Sequence, residues 1–179
     1  MSGFFSVILL SIGLSMDAFS LALILGTIGL NKKSIIKISI TVGLFHLIMP
    51  LLGDLVGELL LSVLPIKSTT IAGIIFLVLS VQMFLSIIKE SDRTTPIING
   101  TLSIIIFAFT VSIDSFSSGI SFSAISTHHY LVSFLFMITS FSFTMTGLVM
   151  GKKLERRFGK YATIIGSIIL MILAINYLI

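Results

Sequence analysis

The sequence predicts an all-α integral membrane protein: six transmembrane helices forming two inverted three-helix repeats, in a single membrane domain over residues 1–179. Three observations predict it. The chain is 56% hydrophobic and only 10% charged, against roughly a quarter charged in a soluble domain, and its mean hydropathy is +1.20. Its apolar residues fall into long runs separated by short polar connections. One short motif built around an aspartate occurs twice, 97 residues apart, as "SMDAFS" from Ser15 and "SIDSFS" from Ser112.

The apolar runs lie at 3–30, 38–64, 68–88, 100–124, 130–151 and 161–179, each close to or above the roughly 20 residues that cross a bilayer as a helix. Span 1 has no Lys or Arg before it and no small-residue cleavage pattern at its end, so it reads as a permanent span rather than a signal peptide. It carries Asp17. Span 2 contains Pro50, which should kink it by removing a backbone bond, and Gly53 and Gly57 four residues apart. In span 3, "LSVQMF" holds Gln82; span 4 holds Asp114; span 5 ends on Gly147 and Gly151, again four apart; and "LAINYL" in span 6 sets Asn176 against Gln82. Small residues at this spacing let helices approach closely.

The order of these features is the same in 1–90 and 91–179. A unit of three spans enters the membrane from opposite sides in its two copies, which makes the repeat inverted. Secondary transporters are often built this way, with the substrate held near the midplane where the repeats meet.

Charge sets the orientation. Lys32, Lys33 and Lys37 lie in loop 1–2, Lys89 and Arg93 in loop 3–4, and Lys152, Lys153, Arg156, Arg157 and Lys160 in loop 5–6, while Lys67 alone lies opposite. Basic residues in short loops stay cytoplasmic, so loops 31–37, 89–99 and 152–160 are expected inside a bacterial inner membrane, with both termini outside. The run "KKLERRFGK" is then a topology determinant touching anionic headgroups, not a nucleic-acid patch. There is no cysteine, which excludes disulfides and a thiol relay, and no GxxxxGK[ST] loop to cradle phosphates. Any pumping must therefore draw on an ion gradient, and no cofactor is expected.

Asp17 and Asp114 each lie fifteen residues into their spans, which at about 1.5 Å per residue is near mid-bilayer. A central Asp costs about 2.5–3.5 kcal/mol on insertion scales, so neither is expected to face lipid. Two carboxylates close together in low dielectric cannot both stay ionised cheaply. A divalent cation neutralises both, and protons do so when the cation leaves, which is the logic of a cation/proton exchanger. The nearby candidate ligands are oxygens: Ser15, Ser20, Ser112 and Ser117, with Gln82 and Asn176 if their helices face inward. Such sites suit Mg, Ca or Mn, and His46, an intramembrane imidazole, tilts the choice toward Mn²⁺. Asp54 and Glu58, one helical turn apart near the outer end of span 2, form either a cation exit funnel or a solvated pair. His128 and His129 fall in the outer loop, where a metal-binding role is not the expected one. Paired membrane aspartates also describe intramembrane proteases, but neither motif carries the GxGD signature of those enzymes.

"GLSMDAFSLAL", "GLFHLIMPLLGDLVG", "SIDSFSSGIS" and "GLVMGKKLERRFGKYATIIGSIILMI" together resemble the bacterial manganese efflux pumps of the MntP type, over essentially the whole chain. The resemblance implies a six-helix exporter of Mn²⁺ in which Asp17 and Asp114 match the family's intramembrane aspartates. Leu25 stands where such pumps often carry a lysine, His46 where they carry an acidic or amide residue, and Ser86 where they usually carry a Glu. "SIDSF" also resembles a sporulation-associated branch of the same superfamily, which leaves another cation substrate or a role without transport as the alternative.

Overall fold

Because lipid offers no hydrogen bonds to a bare backbone, an apolar chain of this kind satisfies its own amides in helices, and helices account for nearly all of the described backbone. The computed structural model describes residues 3–63, 66–89, 98, 100–122, 128–151, 153 and 156–179. Its elements are α1 (Gly3–Gly26), α2 (Lys32–Val63), α3 (Ser68–Lys89), α4 (Thr101–Val111), α5 (Ile113–Gly119), α6 (His129–Met150) and α7 (Arg156–Leu178). Five are long and apolar enough to span a membrane, and α4 with α5 makes a sixth if the bent pair is one span. Glu90 and Arg93 of loop 3–4 and Lys152 of loop 5–6 lie outside the described residues.

Span 4 departs from the continuous helix expected over 100–124. It breaks at Ser112, and its two halves are bent by 41°. The Ser112 hydroxyl donates to the Ala108 carbonyl at 2.7 Å, and its amide is shared between Ala108 and Phe109 carbonyls at 3.1 and 3.2 Å. A serine bonding back to the preceding turn bends a helix, and three further serines in "SIDSFSS" do nothing to stiffen it. By contrast α2 runs through Pro50 as one helix of 32 residues.

Packing is dominated by small residues. α1 lies against α6 and α7, α2 against α4, α5 and α6, and α3 against α7. Gly53 and Gly57 of α2 meet the backbone of Phe116 and Ile120, and Gly119 of α5 meets the backbone of Pro50. On the other side Gly147 meets Phe19 and Ala22, and Gly151 meets Leu23 and Gly26. A Cβ on Gly147 would lie 2.7 Å from the Phe19 carbonyl oxygen, so these positions are glycine because two backbones touch there. The outward faces carry large apolar side chains such as Leu59, Ile88 and Leu102, each more than two-thirds exposed, as befits surfaces solvated by lipid.

The ends of the helices sort into two sides. The Lys37 ammonium donates to the Thr101 hydroxyl at 2.8 Å, joining the starts of α2 and α4. Gly26 and Gly151 join the ends of α1 and α6. The loops rich in Lys and Arg therefore share one side. On the other, His129 at the start of α6 pairs with Asp54 in the second half of α2, and Gly73 near the start of α3 abuts Leu178 at the end of α7.

Two apolar clusters fill the interior. One, toward the side away from the basic loops, draws on α1, α3, α6 and α7 and includes Leu10, Leu14, Phe76, Leu79, Phe122, Phe136 and Leu170. The other, toward the basic side, draws on α1, α2, α4 and α6, including Leu25, Val42, Phe107 and Leu148, with no buried residue from α3 or α7. Toward the basic side α7 buries small residues instead, among them Ala162, Thr163 and Ser167, and its Gly166 packs on the backbone of Gly13.

Gly53→Ala and Gly147→Ala should each overpack a backbone crossing and cost about 1–3 kcal/mol, read as a lowered midpoint of thermal unfolding of the purified protein in detergent. Leu59→Ala, on an outward face, should leave that midpoint nearly unchanged.

Candidate functional site

A small cavity inside the bundle, the one expected at the midplane, is built from the residues that interrupt the apolar runs. Asp17 on α1 and Asp114 in the first turn of α5 line it together with Gln82 and Ser86 of α3, and with Leu14, Leu79, Met83 and Leu170. It holds about 80 Å³, room for a few water-sized groups and too small for an organic substrate. The two aspartate motifs, separated by 97 residues in sequence, thus converge on one space. Asp114 sits two residues past the break at Ser112, and its Oδ1 accepts the Ser115 amide at 2.8 Å.

The cavity is polar on one side and apolar on the other. Gln82 and Ser86 lie one turn apart toward the end of α3 that leads to the basic loops, while Leu14, Leu79 and Leu170 belong to the opposite cluster. Ser86 donates to the Met83 carbonyl at 2.8 Å and keeps its oxygen lone pairs. The whole polar set offers oxygen ligands: two carboxylates, an amide oxygen and a hydroxyl. Only Met83 adds a soft thioether.

Of the residues singled out in the sequence, Asp17, Asp114 and Gln82 come together here. His46 does not line the cavity. It is buried, 1% exposed, and its Nδ1 lies 2.9 Å from the Ser112 hydroxyl and 3.0 Å from the Val42 carbonyl. Since the Ser112 hydroxyl spends its proton on Ala108 and a carbonyl can only accept, Nδ1 carries the ring proton. His46 therefore fastens α2 to the break in span 4, which sets where Asp114 points. The four serines taken as candidate ligands, Ser15, Ser20, Ser112 and Ser117, also turn elsewhere. Ser112 is spent on that junction, the Ser117 hydroxyl reaches back to the Ile113 carbonyl at 3.5 Å, and Ser15 and Ser20 are buried away from the cavity. Asn176 faces outward on α7. Their neighbourhood in sequence was a poor guide because one residue of helix turns a side chain by about 100°.

Ser86, noted in the sequence only as the place where MntP-type pumps usually carry a Glu, was not among the expected ligands. Its signal was its place four residues after Gln82, on the same face of α3.

Asp54 and Glu58 are remote from this cavity. They line a second, broader one of about 810 Å³ with His128, His129 and Tyr130. His129, placed in the outer loop by the sequence, instead begins α6 and is paired with Asp54.

Comparison with known proteins places these features in a lineage. The family model described as "Putative manganese efflux pump" matches residues 29–178. A protein of Bacillus pumilus named "Putative manganese efflux pump MntP" is 37% identical over 172 residues, covering 95% of this chain and 92% of its own length. One of the same name from Bacillus velezensis is 37% identical over 167 residues, covering 93% and 89%, and one from Shouchella clausii is 35% identical over 173 residues, covering 96% and 94%. No solved structure matches the chain.

Ser112→Ala should leave the buried His46 Nδ1 proton with the Val42 carbonyl alone and cost about 0.5–1.5 kcal/mol, a typical net hydrogen bond. The check is the thermal unfolding midpoint of the purified variant, which should fall, with Ser117→Ala as a control that leaves it nearly unchanged.

Proposed function

Since the chain belongs to the MntP family of manganese efflux pumps, a family of transporters and not of enzymes, we propose that this multi-pass membrane protein exports Mn²⁺ from the bacterial cytoplasm. The observation that carries the reading is the convergence of Asp17 and Asp114 on one small oxygen-lined cavity. Mn²⁺ sits between the two carboxylates, with the Gln82 amide oxygen and the Ser86 hydroxyl completing part of its shell. His46 acts as a positioning residue rather than a ligand.

The transport cycle is that of two inverted three-helix repeats, 1–90 and 91–179. The glycine seats support this. Gly53 and Gly57 rest on Phe116 and Ile120, while Gly147 and Gly151, at an offset of 94, rest on Phe19 and Leu23, each 97 residues before its counterpart. The same contact is thus made twice, once by each half. One pair of seams breaks the match: α1 packs closely on α7, but α3 touches α5 only sparsely, and the cavity lies at that loose seam. The basic loops 31–37, 89–99 and 152–160 are cytoplasmic and both termini are outside. The apolar cluster of Leu14, Leu79 and Leu170 closes the cavity on the side away from the basic loops, which supports reading this conformation as inward-open. Export proceeds as the α3–α5 seam closes and the α1–α7 seam opens.

The direction of flow requires an energy source. With the inside negative, a divalent ion leaving the cell works against about 4.6 kcal/mol per 100 mV, at about 2.3 per charge. Protons entering on the emptied carboxylates offset that term and keep two like charges from facing each other in low dielectric.

The test is cellular manganese, measured by elemental mass spectrometry in a manganese-sensitive bacterium expressing wild type, Asp17→Asn or Asp114→Asn at equal membrane levels. Wild type should lower manganese selectively and both variants should fail to. A fall in another cation with manganese unchanged would reassign the substrate, and no change in any metal would remove the transport reading.

A further inference from the structure

Beyond the midplane cavity, the outer half of the bundle holds a cluster that the transport reading does not use. Asp54 and Glu58 on α2 and His129 at the start of α6 each offer a ligand atom within 4.8 Å of the others. They line the broad cavity that also takes in His128 and Tyr130. Asp54 is only 7% exposed. One of its oxygens, Oδ2, pairs with the His129 Nδ1; the other, Oδ1, is buried and has no hydrogen-bond partner among the described residues. A buried carboxylate oxygen left without a partner is costly. A second carboxylate one turn away makes the local charge more negative, and a single imidazole does not balance two acids even when protonated.

We propose that Asp54, Glu58 and His129 form a second divalent-cation site, distinct from the Asp17 and Asp114 cavity, selective for a first-row transition metal such as Mn²⁺ over Mg²⁺ or Ca²⁺. The cation supplies the missing partner of Asp54 Oδ1 and neutralises both acids. The imidazole sets the selectivity, because nitrogen ligands suit transition ions whereas Mg²⁺ and Ca²⁺ take oxygen sets. Glu58 is exposed, so the site is open to solution on its cavity side. Its other side is closed by Phe122, whose ring meets His129 edge-on with centroids 6.3 Å apart and packs on Phe136 at 5.7 Å. Both phenylalanines belong to the apolar cluster whose Leu14, Leu79 and Leu170 wall the midplane cavity. One hydrophobic plug therefore separates two cation sites, and on the orientation proposed above the second is where an exported ion arrives.

Binding at this site does not require that the protein transport anything, so the test measures binding. The full chain, purified in detergent, is titrated with Mn²⁺ while the six-line electron paramagnetic resonance signal of the free ion reports what remains unbound. The Asp17→Asn/Asp114→Asn variant should retain one Mn²⁺ per chain, and adding Glu58→Gln or His129→Gln to it should weaken that binding by roughly tenfold or more. Excess Mg²⁺ should not displace the ion. Glu58 lies on the surface, so its substitution does not endanger the fold. No binding by the Asp17→Asn/Asp114→Asn variant, or binding indifferent to Glu58→Gln and His129→Gln, would overturn the proposal. If wild type and that variant bind the same single ion and Glu58→Gln removes it, the outer site stands and the midplane site falls.

Discussion

A carboxylate inside hydrocarbon must be met by something polar, and the rest of the structure follows from meeting that demand twice. Asp17 and Asp114 carry insertion costs of about 2.5–3.5 kcal/mol each, too large to leave facing lipid in a domain whose whole stability is of order 5–15 kcal/mol. Bringing both to one cavity solves half the problem and creates another, since the two charges then repel. Among the described residues that line it, the cavity has no basic side chain to balance them. A site built so is stable only in company, with a cation or with protons, and exchanging one for the other is what a coupled carrier needs.

Everything that shapes this cavity depends on close approach of backbones. Glycines at 53, 57, 119, 147 and 151 let α2 seat on α5 and α6 on α1, which carries the two aspartates to one cavity. The break at Ser112, tied to His46, then turns Asp114 inward from a span that would otherwise run straight. Broken helices at a midplane site are a recurrent device of transporters, because a break allows one half of a span to move while the other stays packed. Here the short α5 is held by α2 and left nearly free of α3. The looseness lies beside the site, where movement is useful.

Much of this was legible in the sequence, for particular reasons. Hydropathy located the spans because lipid imposes one length on every crossing helix. The duplicated aspartate motif located the cavity because buried charge in a membrane is expensive wherever it occurs. The Gly-x-x-x-Gly pairs located the closest crossings. What the sequence hid was anything set by rotation or by distance along the chain. Ser15, Ser20, Ser112 and Ser117 are close to the aspartates in sequence but turn away in space, and Ser86, far off in sequence, turns in. His46 carried the right chemistry for a metal and was placed with the wrong partner, since nothing local tells that Ser112 stands 66 residues on and 2.9 Å away. His129 looked like loop because its partner Asp54 lies on another span.

The central claim is that the two aspartates hold a single ion between them, not one ion each. It is tested most directly by the initial rate of Mn²⁺ flux into proteoliposomes carrying a manganese-quenched dye, compared for wild type, Asp17→Asn, Asp114→Asn and the double variant. Two ligands of one ion are strongly non-additive. The account predicts that either single substitution reduces the flux to the level of the double. Single variants that each keep a substantial share of the flux, with losses that multiply in the double, would contradict it.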